Sequence, residues 1–264
     1  MIVVSKEERD TLIEGGKRLG SILEVVAASV SPGVKTDALN ALAERLIRKG
    51  GDEPAFLNYK PEGASRPYPA ALCVSINDEV VHGIPNENPR SLNTGDIVGL
   101  DLGLRHKGLV LDSALTISVG KADKRAAGLM NATAEALLAG ISAARPGAYI
   151  GDIASAIQEV IEKGNFSVVK ILGGHGVGRA VHEEPFVPNA GEPGTGPELV
   201  RGMVLALEPI ANEGKGSVTL LPDGYTYRTK DGSRSVHFEH TILIEDHGTI
   251  ILTARPNEVP FPTR

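Results

Sequence analysis

The sequence has no tryptophan, one cysteine, and aromatic residues at only 4%. The lone Cys73 excludes an intramolecular disulfide and any cysteine-based zinc finger. No apolar run approaches the ~20 residues that a membrane-spanning helix needs. The opening stretch MIVVSKEERD lacks the basic flank and the apolar length of a secretory signal, so a cytoplasmic location and no membrane partner are expected. There is no long basic run and the net charge is −6, which argues against nucleic-acid binding driven by bulk charge. What remains is an ordinary globular composition, 41% apolar and 23% charged, over 264 residues. That length suits one large domain or two intimate halves.

The most informative stretch is Gly95 to Thr116, GDIVGLDLGLRHKGLVLDSALT. Two apolar runs flank Arg105-His106-Lys107-Gly108, which reads as a tight hairpin connection. Val98, Leu100, Leu102 and Leu104 share one parity, and Asp101 has the other; Asp112 likewise opposes Leu109, Leu111 and Leu115. Alternate strand residues face opposite sides, so each Asp points away from its own leucines. A turn centred on His106-Lys107 would make the two acids direct cross-strand partners, with Cβ atoms about 5 Å apart. Like charges that close need a proton or a cation between them. The plain alternative is an edge hairpin with two solvated acids.

Taken in order, Ser5-Lys6-Glu7-Glu8 reads as a capping box opening a helix through Leu12, Leu19, Leu23 and Val26. Thr36 or Asp37 caps a second helix that Gly50-Gly51 ends. Residues 58–70 form a Pro-rich loop able to wall a site, and 71–76 reads as a strand. A long helix is expected over 122–144 and another over 152–163. Here the chain repeats itself. SPGVKTDALNALAERLIRKGG at 31–51 resembles RPGAYIGDIASAIQEVIEKGN at 145–165. GDIVGLD echoes GMVLALE, Asp112 echoes Glu239, and Val81-His82-Gly83-Ile84-Pro85 echoes Val181-His182-Glu183-Glu184-Pro185. Four echoes in one order imply two α+β halves, each two helices followed by antiparallel strands, about a pseudo-two-fold axis.

Both halves then bring carboxylates to a shared centre: Asp101, Asp112, Glu208 and Glu239. Clustered without cations they would cost several kcal/mol, and a pair of divalent metals removes the problem. His175, in Gly173-Gly174-His175-Gly176-Val177-Gly178-Arg179, is the candidate fifth ligand, with a loop histidine in a Gly-rich turn as the alternative. The glycines there fit neither nucleotide-binding spacing, and His182-Glu183-Glu184-Pro185-Phe186 has no second histidine for a zincin helix.

Asp101, Asp112, His175, Glu208 and Glu239, with GHGVGRAVHEEP, LEP and FEHT in that order, resemble the ligand set and signatures of the methionine aminopeptidases. The resemblance covers essentially the whole chain and looks like the short, type I form. It implies an α+β pita-bread fold and a single catalytic domain over 1–264. It also implies removal of the initiator methionine by metal-activated water attack on the first peptide bond, with a small second residue preferred. The implied cofactor is two divalent ions, drawn from Co, Mn, Fe or Zn. Asp101 would chelate one ion, Asp112 and Glu239 would bridge both, and His175 and Glu208 would complete the second. Glu208 would shuttle the proton, His182 would stabilise the oxyanion, and His82 would hydrogen-bond the substrate backbone. Tyr59, Tyr68, Cys73 and Val181 fall near the expected methionine pocket. Val181 stands where a larger aromatic is common. The implied partners are nascent polypeptide N-termini, with the ribosome a further candidate, and a monomer is expected. Two readings compete. One is an Xaa-Pro peptidase of the same fold, which usually carries an additional N-terminal domain. The other is an inactive relative serving as a binding module, which usually loses ligands.

Overall fold

A computed structural model describes residues 1–258; the last six residues of the expected domain, 259–264, lie outside the described residues. The first half comprises α1 (Lys6–Ala28), α2 (Thr36–Lys49), β1 (Glu53–Pro54), β2 (Leu72–Ile76), β3 (Glu79–Val81), β4 (Ile97–His106) and β5 (Leu109–Ser118). The second begins with α3 (Lys124–Ala143) and α4 (Ile150–Lys163), followed by β6 (Ser167–Val168), β7 (Gly173–Gly176) and β8 (Glu183–Pro188). It ends with β9 (Val204–Leu207), β10 (Ile210–Asn212), β11 (Val218–Leu220), β12 (Tyr227–Thr229), β13 (Ser235–His237), β14 (His240–Glu245) and β15 (Gly248–Ile251). None of the described helices is long and apolar enough to cross a membrane.

Ser5 caps α1 by accepting the Glu8 N–H, while Glu8 reaches back to the Val4 N–H instead of that of Ser5. Leu12, Leu19, Leu23 and Val26, at helical spacing, form its buried stripe. In α4 the stripe is Ile150, Ile153, Ile157 and Ile161. Each helix pair covers one sheet: β4 is flanked by β1, β2 and β5, and the other sheet runs β15-β14-β9-β7-β8.

The repeat is visible in backbone hydrogen bonds. Gly33 N–H donates to Leu92 and Leu92 N–H to Val34; Gly147 N–H donates to Leu199 and Leu199 N–H to Ala148. The N-cap residues Lys35 and Tyr149 form matching bridges to Ser91 and Glu198. The same chain path is used twice, as in a pita-bread fold.

The hairpin register differs from expectation. The turn sits on Lys107-Gly108, at φ 47° and 87°, rather than on His106-Lys107. A two-residue hairpin loop whose twist matches its strands needs positive φ at both positions, and glycine suits the second. Asp101 therefore pairs with Ala114, and Asp112 with Gly103. The acids are diagonal neighbours on one face, not direct partners.

The halves are stitched along β5 and the stretch leading into β14. Glu239 N–H donates to Ala114 O at 2.9 Å, Ser113 Oγ to Glu239 O at 3.0 Å, and Thr116 Oγ1 to His237 O at 2.8 Å. Thr241 Oγ1 accepts the Asp112 N–H at 2.9 Å and donates to the Asp112 carbonyl at 2.7 Å. Thr241 is fully buried. Thr241→Val keeps the shape but leaves both Asp112 backbone groups without this partner, so it should cost about 1–3 kcal/mol. Thermal unfolding should show this as a melting point lower by about 2–4 °C per kcal/mol.

Candidate metal centre

Local sequence explains how each donor is aimed. Asp101 and Asp112 sit inside β4 and β5, and Glu208 immediately follows β9. Glu239 lies on the stitched crossing into β14, and His175 is in β7, paired to β8 and β9. The glycines around His175 allow those neighbours to close in. A Cβ at Gly174 would lie 2.1 Å from Ala206 O, and one at Gly176 2.2 Å from Glu184 O. The close approach is thus to adjoining strands.

His175 Nε2 lies 3.7 Å from Glu208 Oε1 and 4.0 Å from Asp112 Oδ2. Donor atoms of Asp112, His175 and Glu239 all fall within 4.8 Å of one another. His175 Nδ1–H donates to Gly176 O at 2.9 Å, which leaves the Nε2 lone pair free toward the carboxylates. Asp101 Oδ1, Asp112 Oδ1 and Glu239 Oε1 are buried without a hydrogen-bond partner among the described residues. Burial pushes Asp101 up to about 7. It pushes Asp112, Glu208 and Glu239 well above the carboxylate range, with repulsion between neighbouring acids adding to it. Orphaned carboxylate oxygens around one imidazole nitrogen are the donor set of a hard or borderline divalent cation.

The centre lines a cleft of about 550 Å³. Its walls include Tyr59, Tyr68, Cys73, Val181, His82 and His182, so the structure gathers every residue singled out above into one place. Pro61, from the 58–70 loop read as able to wall a site, also lines it, and so do Phe56 and Tyr225, which were not anticipated. Tyr225 meets Tyr68 edge-on, at 5.1 Å between ring centres, and donates to Arg66 O. Arg66 in turn binds Glu87 and the Asp223 carbonyl, tying the 58–70 loop to the turn that carries Tyr225. A second cleft adjoins the first and shares His82, His175, His182 and Glu208 with it. Its further wall includes Phe186, which is exposed.

His82 adopts φ 58°, and burial lowers its pKa to about 4. His182 is exposed at the cleft mouth, and its ring is 4.5 Å from that of His175. His182 Nδ1 lies 3.0 Å from the Tyr59 hydroxyl. One further histidine, His237, has no part in the sequence reading above. It is buried, with Nε2 3.5 Å from Glu208 Oε2 and 3.8 Å from Glu239 Oε2. The parity of Val236-His237-Phe238-Glu239 could have found it, because residues two apart on an extended chain face one side.

A buried carboxylate and imidazole cluster between two related halves defines a metallohydrolase site. Residues 11–246 match the model of metallopeptidase family M24. The methionine aminopeptidase of Aquifex aeolicus is 44% identical over 253 residues, covering 94% of this chain and 97% of that one. The crystal structure of a Thermotoga maritima methionine aminopeptidase superposes with a TM-score of 0.91 at 40% identity, covering 97% of this chain and all of that one. A Pyrococcus horikoshii prolidase shares the fold at TM-score 0.72 and 23% identity, but this chain covers only 65% of it. The chain belongs to metallopeptidase family M24 and, within it, to the methionine aminopeptidases.

The electrostatics predict a pH dependence. Without cations, the acids bind protons more tightly folded than unfolded, so their contribution to stability falls as pH rises. His175 and His237, lowered to about 3, and His82, lowered to about 4, act oppositely, but only up to their ordinary value of 6.5. Above pH 6.5 the acids act alone. Chelator-treated protein should therefore lose thermal stability from pH 6.5 through about 7 and beyond, and divalent metal should abolish that loss. Melting curves across this range with and without metal check it.

Proposed function

We propose that this protein removes the initiator methionine from nascent polypeptides by metal-dependent hydrolysis of the first peptide bond. The observation that carries the reading is the buried set Asp101, Asp112, His175, Glu208 and Glu239 opening onto an apolar-walled cleft. The family relation supports it. Asp101, Asp112, His175, Glu208 and Glu239 would hold two divalent ions. Bound there, they would supply an activated water of pKa about 7 and a polarised carbonyl.

The remaining work falls to protein groups. Phe56, Tyr59, Tyr68, Cys73, Val181 and Tyr225 hold the methionine side chain. Tyr225 provides aromatic surface on the far wall while Val181 leaves room. The scissile bond lies where the two clefts meet, beside His82, His182 and Glu208, and the rest of the polypeptide leaves along the Phe186 side. His82 holds the substrate backbone. Glu208 takes a proton from the attacking water and delivers it to the leaving amine. His182 donates to the oxyanion. The Tyr59 hydroxyl donates to His182 Nδ1, which keeps the proton on Nε2, the nitrogen that faces the developing charge. The chain acts as one catalytic domain and works as a monomer in the cytoplasm, at or near the ribosome.

Purified protein should release methionine from Met-Gly-Met only with divalent metal, and chelation should stop it. Faster cleavage of an Xaa-Pro peptide would favour the prolidase-type reading. Metal binding without release of either would favour the binding module. Asp112→Ala should lose metal and activity while staying folded. His182→Ala should keep metal but lower kcat about 10²–10³-fold. Tyr59→Phe should lower kcat roughly tenfold with KM little changed. Steady-state kinetics on the same peptide test both substitutions.

A further inference from the structure

His237 is a buried imidazole that the reaction above does not use. It ends β13, whose register sets it opposite Ile210, two residues beyond Glu208. Its backbone is clamped from the other half: Thr116 Oγ1 accepts the His237 N–H at 3.1 Å and donates to its carbonyl at 2.8 Å. The ring is thereby aimed at the acids. Nε2 is buried with no hydrogen-bond partner among the described residues. It faces Glu208 Oε2, at 3.5 Å, and Glu239 Oε2, at 3.8 Å.

Glu208 is flanked by imidazoles on both oxygens. His175 Nε2 lies 3.7 Å from Oε1, a spacing that suits two donors on one cation, and His237 lies on the Oε2 side. All five proposed donors line the cleft, and His237 is not part of that lining. Its place is behind the carboxylates rather than around a cation. A nitrogen there serves best as a donor. The present separations exceed a made hydrogen bond, whose usual limit is about 3.2 Å, and a shift of a few tenths of an ångström closes them.

We infer that His237 is a positioning residue, which donates an Nε2–H to Glu208 and Glu239 and fixes their carboxylates for metal binding. This rests on the five-donor reading above. Metal-ligating carboxylates are themselves held by hydrogen bonds, and losing such a partner costs about 10–100-fold in affinity. Gln reaches the same point with an amide donor, and Leu fills the space with none.

The test is calorimetric titration of zinc into chelator-treated protein, unaltered and as His237→Leu and His237→Gln, with melting curves to verify folding. His237→Leu should bind zinc about 10–100-fold more weakly, and His237→Gln should recover most of the loss. Imidazole nitrogen NMR on the unaltered, zinc-loaded protein gives a second readout that needs no leucine variant. His237, assigned by the signal missing from His237→Gln, should show a protonated Nε2. Equal zinc affinity in His237→Leu overturns the proposal, as does a failure of Gln to rescue. An unprotonated, zinc-coordinated His237 Nε2 also overturns it, by making the residue a ligand. No zinc uptake by the unaltered protein overturns the five-donor reading and the proposal with it.

Discussion

Repulsion among four buried carboxylates is the constraint around which the chain is built. Asp112 and Glu239 are almost wholly buried, and Asp101 and Glu208 are only slightly open. Removing one such charge from water is costly, and placing its neighbours beside it adds to the cost. The rest of the molecule is arranged to hold them regardless. One apolar core under α1 and α2 packs the β2-β4-β5 sheet, and another under α3 and α4 packs the β14-β9-β7-β8 sheet. The two meet where Asp112 and Glu239 emerge. Thr241, Ser113 and Thr116 bind backbone there across more than a hundred residues of chain. Stability supplied by the cores is thus carried to a point where charges oppose it, and divalent cations relieve the opposition.

Duplication accounts for the convergence, and divergence of the copies accounts for the chemistry. The matched bridges at Lys35 and Tyr149, and the matched amide pairs beside them, show one backbone plan used twice. The first copy carries its carboxylates inside β4 and β5, and the second carries them just after β9 and just before β14. The side chains around them are not matched. The first half supplies most of the aromatic wall, through Phe56, Tyr59 and Tyr68, while the second supplies His175, His182 and His237. An aromatic-rich wall therefore faces a histidine-rich one.

Much of this was legible in the sequence because it is local or periodic. Ser5 as a cap, the isoleucine row of α4 and the parity of Asp101 and Asp112 each follow from a few neighbouring residues. The hairpin was misplaced by one residue because the choice between His106-Lys107 and Lys107-Gly108 depends on which pair accepts positive φ. Tyr225 was invisible for a different reason. It reaches the cleft through a turn pinned by Asp223 and through contact with Tyr68 and Arg66, far away in sequence. No period marks such a residue. His237 was legible in principle, since it shares parity with Glu239, but only once that strand face was read for partners as well as ligands.

The two clefts differ in how their walls are held. Tyr59 and Tyr68 fix each other's backbone through the Tyr68 N–H to Tyr59 O bond at 2.8 Å. The Tyr68 hydroxyl donates to Gly83 O, next to His82, so the cleft wall is tied to the segment that carries this histidine. Arg66 closes the same loop onto the Tyr225 turn. A wall joined in this way is ordered before substrate arrives, which lowers the entropy lost on binding. On the other side of the candidate donors the second cleft shares His82, His175 and His182 but carries an exposed Phe186 instead of an interlocked wall. One side of the donors is thus walled by cross-linked aromatic residues, and the other is open. That asymmetry suits removal of a single terminal residue, the activity of the family to which the chain belongs.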